Sequence, residues 1–339
     1  MSTALVTGGC GFVGRHVVLR LLQQEREVWI VDDLSTGKHP DLWLRKEHLR
    51  GAPPVTFILA DVRAFFREAL PGASSSISQL QDGVPDFGDV FHLAAVVGGR
   101  AKIEGDPVTV AQDLAIDADF FAWACKARPE RILYASSSAA YPVDLQQDGN
   151  ALPLKEEFLQ LEGQMGQPDM TYGWSKVTGE YLARIVARHY GLSVACVRPF
   201  SGYGGDQDDS YPIPAIAARA ARREDPLHIW GSGEQGRDFV DIEDCVDAMS
   251  AALERISDGS AVNIGSGKLT TFKEVAQIFA DLAGYRPQIV PLVDKPVGVH
   301  ARYADTTKAK ALLDWHPKVG LREGFRRVYG QALERIKNG

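Results

Sequence analysis

Near its start the chain reads Ala4-Leu5-Val6-Thr7-Gly8-Gly9-Cys10-Gly11-Phe12-Val13-Gly14, a short apolar strand followed by a glycine-rich turn and the start of a helix. Gly8 permits the tight turn, Gly11 lets a pyrophosphate approach the backbone, and Gly14 allows the helix to pack closely. The first N–H groups of the helix, including those of Phe12 and Val13, then face the phosphates at the positive end of the helix dipole. This strand–turn–helix context predicts a dinucleotide site on an α/β fold.

Asp32 ends the second predicted strand, Val28–Val31, where a carboxylate accepts hydrogen bonds from the adenosine ribose hydroxyls. A carboxylate at this position repels a 2′-phosphate, so the sequence favours NAD over NADP. Arg15 and Lys38 leave a minor NADP alternative open, because a cation near the ribose suits the extra phosphate. The cofactor prediction is therefore NAD.

Two further strand ends contribute candidate cofactor contacts. Asp61-Val62 follows the third strand and either contacts the adenine edge or forms an ordinary turn, and the sequence supports both interpretations equally. His92-Leu93-Ala94-Ala95 ends the fourth strand with mostly small side chains, as a backbone lying beside the cofactor requires. His92 itself is expected to be packed or hydrogen-bonded.

Apolar strands and helices alternate along most of the chain. Strand-like runs continue at Val55–Leu59, Val90–Leu93, Arg131–Ala135, Val194–Val197 and Ala261–Ile264, with helix-like segments at Gly14–Gln23, Val108–Lys126 and Ser175–Tyr190. Near-continuous apolar strands indicate a parallel sheet covered on both faces, so the predicted fold class is α/β, a doubly wound parallel (Rossmann) sheet. Residues 1–198 and 239–268 are assigned to this domain, with Phe239–Ile256 returning to the main sheet. Residues 199–238 and 269–339 are assigned to a smaller, interleaved α/β substrate lobe.

Composition excludes several classes of function. The chain has 339 residues and a net charge of −7, with no basic block, which argues against a nucleic-acid surface. No apolar stretch approaches the length of a membrane span and no signal-like segment is visible, so we expect no membrane partner and a cytoplasmic protein. The four cysteines are far apart and the eight histidines lack ligand spacing, so reduced thiols and no metal site are expected.

Tyr172-Gly173-Trp174-Ser175-Lys176 places a phenol and an ammonium four residues apart, on one face of a helix. A cation so placed can hold the phenol partly ionised at neutral pH, which makes a general base for a substrate hydroxyl. Upstream, Ser136-Ser137-Ser138 leaves a strand near the same edge of the sheet. These serines either hydrogen-bond the reacting oxygen or form a polar turn.

With the glycine turn, these residues make the chain resemble the extended short-chain dehydrogenase/reductase family, in the group of nucleotide-sugar epimerases and dehydratases. The likeness covers nearly the whole length and includes Val31-Asp32-Asp33-Leu34-Ser35-Thr36-Gly37, Arg198-Pro199-Phe200, Gly236-Arg237-Asp238-Phe239-Val240 and Asn263-Ile264-Gly265. It implies that Asp33, Ser35, Thr36 and Gly37 join Asp32 at the cofactor. It also implies that Ser137 is the catalytic serine, Tyr172 the acid/base, and Lys176 the residue that binds the nicotinamide ribose and lowers the pKa of the tyrosine.

The residues after Ser137 distinguish between branches of this family. By the resemblance, dehydratases carry an Asp-Glu pair at Ser138 and Ala139, 3,5-epimerases a cysteine at Ala139, and decarboxylating relatives a glutamate there. An alanine cannot move a proton from carbon, so hydride chemistry alone is predicted. That is a nucleotide-sugar 4-epimerase acting through a transient 4-keto intermediate, or alternatively a C4 dehydrogenase/reductase that releases the ketone. A non-catalytic NAD-binding module is disfavoured, because both Tyr172 and Lys176 are present.

Two segments nonetheless resemble GDP-mannose 3,5-epimerase, namely Ala94–Gly99 and Pro296–Asp305. The resemblance implies a scaffold near that group without its cysteine. It also implies a nucleoside-diphosphate sugar as substrate, with Arg237 and Arg302 converging on the diphosphate through bidentate hydrogen bonds. Gly98, Ser138 and Tyr203 are the candidates for contacts with the sugar.

Two expectations concern the surface. Asp206–Asp209 either lines the sugar or, as we favour, forms a solvated acidic loop. Val108–Lys126 and Ser175–Tyr190 carry more apolar residues than one core face needs, such as Phe120, Phe121 and Trp123. Because relatives pair these two helices across a two-fold axis, a homodimer is expected, with ordinary burial against the sheet as the alternative.

Overall fold

The structure is a computed structural model that describes residues 3–49, 51, 53–70, 75–81, 83–149, 151–163 and 165–338. Its strands are β1 (Thr3–Thr7), β2 (Val28–Asp32), β3 (Val55–Leu59), β4 (Phe87–His92), β5 (Arg131–Ala135), β6 (Ser193–Pro199), β7 (Ser201–Tyr203), β8 (Leu227–Trp230), β9 (Gly236–Arg237), β10 (Phe239–Asp241), β11 (Asp258–Ile264), β12 (Thr270–Thr271), β13 (Ile289–Leu292) and β14 (Ala301–Arg302). Its helices are α1 (Phe12–Gln23), α2 (Lys46–Leu49), α3 (Val62–Glu68), α4 (Arg100–Gly105), α5 (Pro107–Val110), α6 (Asp113–Ala127), α7 (Met170–Tyr190), α8 (Pro212–Ala221), α9 (Ile242–Arg255), α10 (Phe272–Ala283), α11 (Thr307–Leu313) and α12 (Leu321–Asn338).

Seven parallel strands form the main sheet within the described residues, in the order β11-β6-β5-β4-β1-β2-β3. One face packs against α1, α9 and α11, and the other against α3, α6 and α7. This confirms the doubly wound α/β fold. The strand order reverses between β1 and β4, so the crevice for a ligand lies at the carboxyl ends of those two strands.

The smaller core lies beyond the carboxyl edge of the sheet. It is built from α8, α10 and α12 around Phe279 and Phe325, together with the parallel pair β8 and β13. Next to it, β9 lies between β12 and β14 in a three-stranded sheet. The boundaries of the two lobes stay a prediction.

Two local predictions are wrong. The helix expected over Val108–Lys126 is interrupted, because the backbone switches to tighter bonds such as Gln112 N–H to Thr109 C=O and Ala115 N–H to Gln112 C=O between α5 and α6. Strand β10 does not join the main sheet; it pairs with β7, while the following α9 and β11 do return to the sheet.

The aromatic residues of α6 are core residues. Phe120, Phe121 and Trp123 are almost fully buried against α3 and the sheet, and the Trp123 indole N–H donates to the Ala69 carbonyl at 3.0 Å. These three residues are therefore not exposed on the surface, as pairing with a second copy would require. No helix among the described residues has both the length and the apolar character that a membrane span requires.

Candidate active site

The glycine turn forms a cradle against the loop that follows β4. Gly8 has a φ of +67°, and a Cβ added there would lie 2.8 Å from the Ala94 backbone. A Cβ on Gly14 would lie 2.2 Å from the Gly8 carbonyl oxygen, so the helix starts in contact with the turn. Within the described residues no side chain caps α1 at Gly11. The free N–H groups and the close backbone approach fit a dinucleotide pyrophosphate.

Asp32 ties the glycine turn to β2. One carboxylate oxygen accepts the Cys10 N–H at 2.9 Å and the other accepts the Leu34 N–H at 2.8 Å. Burial raises the pKa of Asp32, and the backbone donors oppose that effect. Each oxygen keeps a second lone pair, so a ribose hydroxyl can still bind.

Arg15, one of the two residues that kept NADP open, is already engaged. Its guanidinium is buried and donates to the Cys10 carbonyl at 2.9 Å and to the Asp206 carboxylate at 2.8 Å. His16 contacts the same carboxylate at 2.9 Å. Asp206 is therefore more than a solvated carboxylate, because it fastens the segment after β7 to the cofactor helix, where Gly204 packs against Phe12. Asp208 and Asp209 are exposed, as predicted for a solvated acidic loop.

The predicted cofactor loop after β2 folds back onto the glycine turn. The Asp33 carboxylate accepts the Ser35 N–H at 2.9 Å, and the Lys38 N–H donates to the Cys10 carbonyl at 3.0 Å. A Cβ on Gly37 would lie 2.8 Å from the Cys10 Cβ. Ser35 and Thr36 are exposed beside this contact, at the crevice edge.

Asp61 and the segment after β4 flank the crevice. Asp61 caps α3 through the Arg63 N–H at 2.8 Å, and hydrogen bonds from the Arg63 guanidinium lower the pKa of Asp61. Asp61 thus caps a helix as the turn interpretation requires, and its contact with the adenine edge stays a prediction. Val62 behind it is buried. The N–H groups of Leu93 and Ala94 contact the Thr7 hydroxyl, which holds the Leu93–Ala95 backbone beside Gly8.

The structure brings Ser137, Tyr172 and Lys176 together. Tyr172 and Lys176 lie one turn apart near the start of α7, with the ammonium 5.7 Å from the centre of the phenol ring. The Ser137 hydroxyl is close enough to Tyr172 to act on the phenol, lowering its pKa. A general base, its cation and a hydroxyl donor are therefore within reach of one reacting oxygen.

The pKa of Tyr172 differs from what its spacing from Lys176 predicts. Burial raises the pKa of Tyr172 above its ordinary value, although Lys176 and Ser137 act to lower it. Lys176 alone therefore does not hold the phenol partly ionised at neutral pH, because the cost of burying the phenolate exceeds the attraction of the ammonium. The sequence shows that Lys176 lies one turn from Tyr172, but it does not show that the phenol is buried.

Three arginines converge near Tyr172. Arg237 and Arg302 are paired in register on β9 and β14, as the prediction of convergence requires. Arg100, which the sequence analysis missed, donates to the Asp169 carboxylate at 2.9 Å, and Arg302 donates to the same carboxylate at 2.8 Å. Asp169 directly precedes α7, a position at which sequence alone suggests a helix cap. In the described part of the chain its side chain forms no capping hydrogen bond to α7.

This cluster carries excess positive charge. Burial, followed by repulsion from Arg302 and Arg100, lowers the pKa of Arg237 to about 9, although Asp169 acts against this. The Arg237 guanidinium donates to the carbonyls of Gly236 at 2.7 Å and Val297 at 2.8 Å. Arg100 and Arg302 share the Asp169 carboxylate, Arg100 also pairs with Glu104, and Arg237 donates to carbonyl groups. Such a cluster is suited to a dianionic ligand.

The structure does not support every predicted sugar contact. Tyr203 is 1% exposed and packs against Phe325 in the smaller core, so its side chain cannot line an open cleft. Ser138 is also buried. A Cβ on Gly98 would lie 2.8 Å from the Lys102 Cβ, so the space above this glycine is partly filled rather than open.

Comparison with known proteins agrees with this architecture. A sequence model of the NAD dependent epimerase/dehydratase family matches residues 4–265. The chain is 29% identical over 331 residues to a putative UDP-glucose 4-epimerase of Methanocaldococcus jannaschii, covering 96% of each protein. It is 27% identical to GDP-mannose 3,5-epimerase 1 of Oryza sativa subsp. japonica, over 98% of this chain and 82% of that protein.

Solved structures show the same likeness. The crystal structure of UDP-glucose 4-epimerase from Thermotoga maritima with UDP-glucose superposes with a TM-score of 0.80 and 27% identity, over 99% of this chain and 100% of that one. The predicted resemblance and the predicted cofactor are thereby confirmed: the chain belongs to the NAD dependent epimerase/dehydratase family, and NAD is its cofactor.

Proposed function

We propose that the protein is a nucleotide-sugar 4-epimerase acting through a transient 4-keto intermediate. The observation that carries the proposal is the placement of Tyr172 one helical turn from Lys176 and close to Ser137, beside the arginine cluster. At the neighbouring position, Ala139 offers no group that could move a proton from a sugar carbon. The site can therefore transfer a proton at one hydroxyl and hold a diphosphate, and Ala139 adds no second acid/base group.

The residues support the following sequence of events. In its phenolate form, which Lys176 and the positive charge of a bound NAD+ ring would together favour, Tyr172 accepts the proton of the C4 hydroxyl. Ser137 hydrogen-bonds the same oxygen as it becomes a carbonyl. Bound NAD would supply the acceptor for the hydride from C4 and the source of its return. Lys176 stabilises the phenolate before it takes up this proton and again after it has returned it. If the ketone turns over and regains the hydride on its other face, Tyr172 returns the proton and the configuration at C4 is inverted without net redox change.

The arginine cluster would hold the other half of the substrate. Arg237 and Arg302 come from adjacent strands, and Arg100 lies at the start of α4 beside the loop that follows β4. A nucleoside diphosphate would take up the charge that Asp169 leaves uncompensated, and would fix the sugar next to Tyr172.

One observation favours a second candidate, a C4 dehydrogenase/reductase with net redox change. Lys102 occupies space above Gly98, in the loop expected beside the sugar ring. Less room there hinders rotation of a bound ketone, and an enzyme that cannot turn the ketone over would release it.

Incubation of the purified protein with a panel of nucleoside-diphosphate sugars separates these candidates. NMR of the sugar ring detects inversion at C4, and NADH absorbance detects net oxidation. Tyr172→Phe should abolish either reaction, whereas Tyr181→Phe, an exposed tyrosine on the same helix, should leave it unchanged. Full activity of Tyr172→Phe would refute the proposed base.

We also propose that the protein is a homodimer, and this proposal rests on exposed residues of α6 and α7 rather than on the buried aromatic residues of α6. Leu114 on α6 and Trp174 and Tyr181 on α7 are between 41% and 51% exposed. Their apolar surface is available for pairing of these two helices with those of a second copy.

A further inference from the structure

Two buried carboxylates lie one helical turn apart at the start of α6. Asp113 and Asp117 are at most 1% exposed. One helix face therefore presents two acidic groups to the interior, beside the helix that carries Tyr172 and Lys176. Carboxylates are rarely buried without a partner, because desolvation of the charge is costly.

Asp117 has partners. It contacts the His92 ring at 3.2 Å and accepts the Tyr134 hydroxyl at 2.6 Å. The Lys176 ammonium lies 5.3 Å from the centre of the Tyr134 ring, so Tyr134 separates Asp117 from the cation. A satisfied polar network of this kind explains the burial of Asp117 on structural grounds alone.

Asp113 is different, because half of its carboxylate has no partner. One oxygen accepts the Val96 N–H at 2.6 Å, in the loop that follows β4. The other oxygen is buried and has no hydrogen bond in the described part of the chain. Burial raises the pKa of Asp113 to about 6; Lys176, the Val96 N–H and the Ser175 hydroxyl oppose this, and Asp117 adds to it. Most of the Asp113 carboxylate is therefore ionised at neutral pH.

The charge of Asp113 acts on the catalytic pair. The groups whose charge or hydrogen bonding acts on Tyr172 are Lys176 on its own helix, Asp113 and Asp117 on α6, Ser137 after β5, Arg302 on β14, and Tyr211 before α8. Burial disfavours the Lys176 ammonium, yet Asp117, Tyr172 and Asp113 together raise its pKa. The same two carboxylates raise the pKa of Tyr172.

We propose that Asp113 is a positioning residue of the catalytic centre: its buried carboxylate, unpartnered at one oxygen and placed at the start of the helix that packs against α7, is a fixed negative charge beside Tyr172 that governs the pH dependence of the reaction. The inference rests on the proposed role of Tyr172 as the base. A purely structural Asp113 would need only the bond to Val96, which an uncharged amide oxygen can accept equally well.

Asp113→Asn separates the two roles, because it keeps the acceptor for Val96 and removes the charge. The activity of the NAD-loaded enzyme should rise with pH as Tyr172 ionises. In Asp113→Asn the midpoint of that rise should move to lower pH by about one unit. Asp119→Asn is the matched control, since Asp119 lies on the same helix and pairs with Arg67 at the surface, and its profile should coincide with that of the unmodified protein.

A second measurement does not depend on turnover. The ultraviolet absorbance of tyrosinate, followed in the NAD-free protein and corrected by the Tyr172→Phe difference, reports ionisation of Tyr172 directly. It should move in the same direction in Asp113→Asn. If no sugar is turned over, the proposed function fails while this titration still decides the role of Asp113.

If Tyr172 titrates at the same pH in Asp113→Asn and in the unmodified protein, the inference is overturned. The role of Asp113 would then be only to hold the Val96 loop in place. Asp113→Ala removes the charge without adding a buried amide donor, and serves as the second variant if the asparagine protein does not fold. Either variant must show the shift.

Discussion

Asp113→Asn should raise the free energy of unfolding relative to the unmodified protein above neutral pH, even though it removes a charge proposed to act on the catalytic centre. Asp113 is fully buried with one oxygen unpartnered, and burial raises its pKa from 3.8 to about 6. The folded protein therefore binds this proton more tightly than the unfolded chain does. Between those two pKa values the folded state holds more protons, so the free energy of unfolding falls as pH rises.

The magnitude follows from the shift. About two pH units at about 1.4 kcal/mol each give a penalty of about 3 kcal/mol once pH exceeds the folded pKa. Because the folded carboxyl is still mostly protonated at about pH 5, about 1.4 kcal/mol of this penalty develops between about pH 5 and about pH 8. Asparagine has no such titration.

Urea denaturation of the NAD-free protein, followed by circular dichroism at both pH values, measures the effect. The stability of Asp113→Asn relative to the unmodified protein should increase by about 1.4 kcal/mol from the lower to the higher pH. Comparing two pH values cancels any constant effect of the amide. A difference that stays flat, or falls, would refute the claim that this carboxylate is buried and charged. Asp119→Asn should stay flat.

Four further outcomes are expected. Arg237→Gln should raise the KM for a nucleotide sugar about tenfold or more, because a charge-assisted contact to the diphosphate is lost. Asp206→Asn should weaken retention of NAD on desalting, since it releases the segment fastened to the cofactor helix. Glu180→Ala should cost about 3–5 kcal/mol in urea denaturation, because it leaves Arg198 buried without its carboxylate. Tyr181→Glu should shift the protein toward monomer in sedimentation.

Each of these variants has a surface control. Arg222→Gln, Asp209→Asn and Glu254→Ala change the same residue types at exposed positions, and Leu42→Glu places the new charge on an exposed apolar residue outside α6 and α7. An effect of equal size in a control would assign the result to net charge rather than to the contact. An unchanged KM in Arg237→Gln would remove that arginine from the diphosphate site.

Local patterns were enough to predict the main sheet. The apolar runs of β1, β2, β4, β5 and β6 are largely buried on both faces, and each lies between turn residues, so periodicity and length identify them. β3, at the edge of the sheet, is only partly buried. The same reasoning failed at β10, because a three-residue strand carries too little pattern to show which sheet it joins. It failed again between α5 and α6, where helix-forming residues continue through a tightened turn.

The catalytic residues could be predicted because their spacing carries the chemistry. Tyr172 and Lys176 meet on a helix wherever that helix lies. Arg100 and Asp169 could not be found in this way, since they are 69 positions apart and meet only through the fold. Tyr203 shows the opposite error: a tyrosine near a glycine-rich loop resembles a ligand contact, and the packing of α12 over it decides otherwise.

Asp32 and Asp113 show why residue type alone does not assign a role. Both carboxylates are buried in the main domain, and burial raises the pKa of both. Both oxygens of Asp32 accept backbone N–H groups, so its charge is compensated by the turn that it holds in place. Asp113 has one such bond, and its charge is opposed mainly by Lys176. A buried charge that the backbone leaves uncompensated lowers stability, and in this fold that charge lies beside the proposed base.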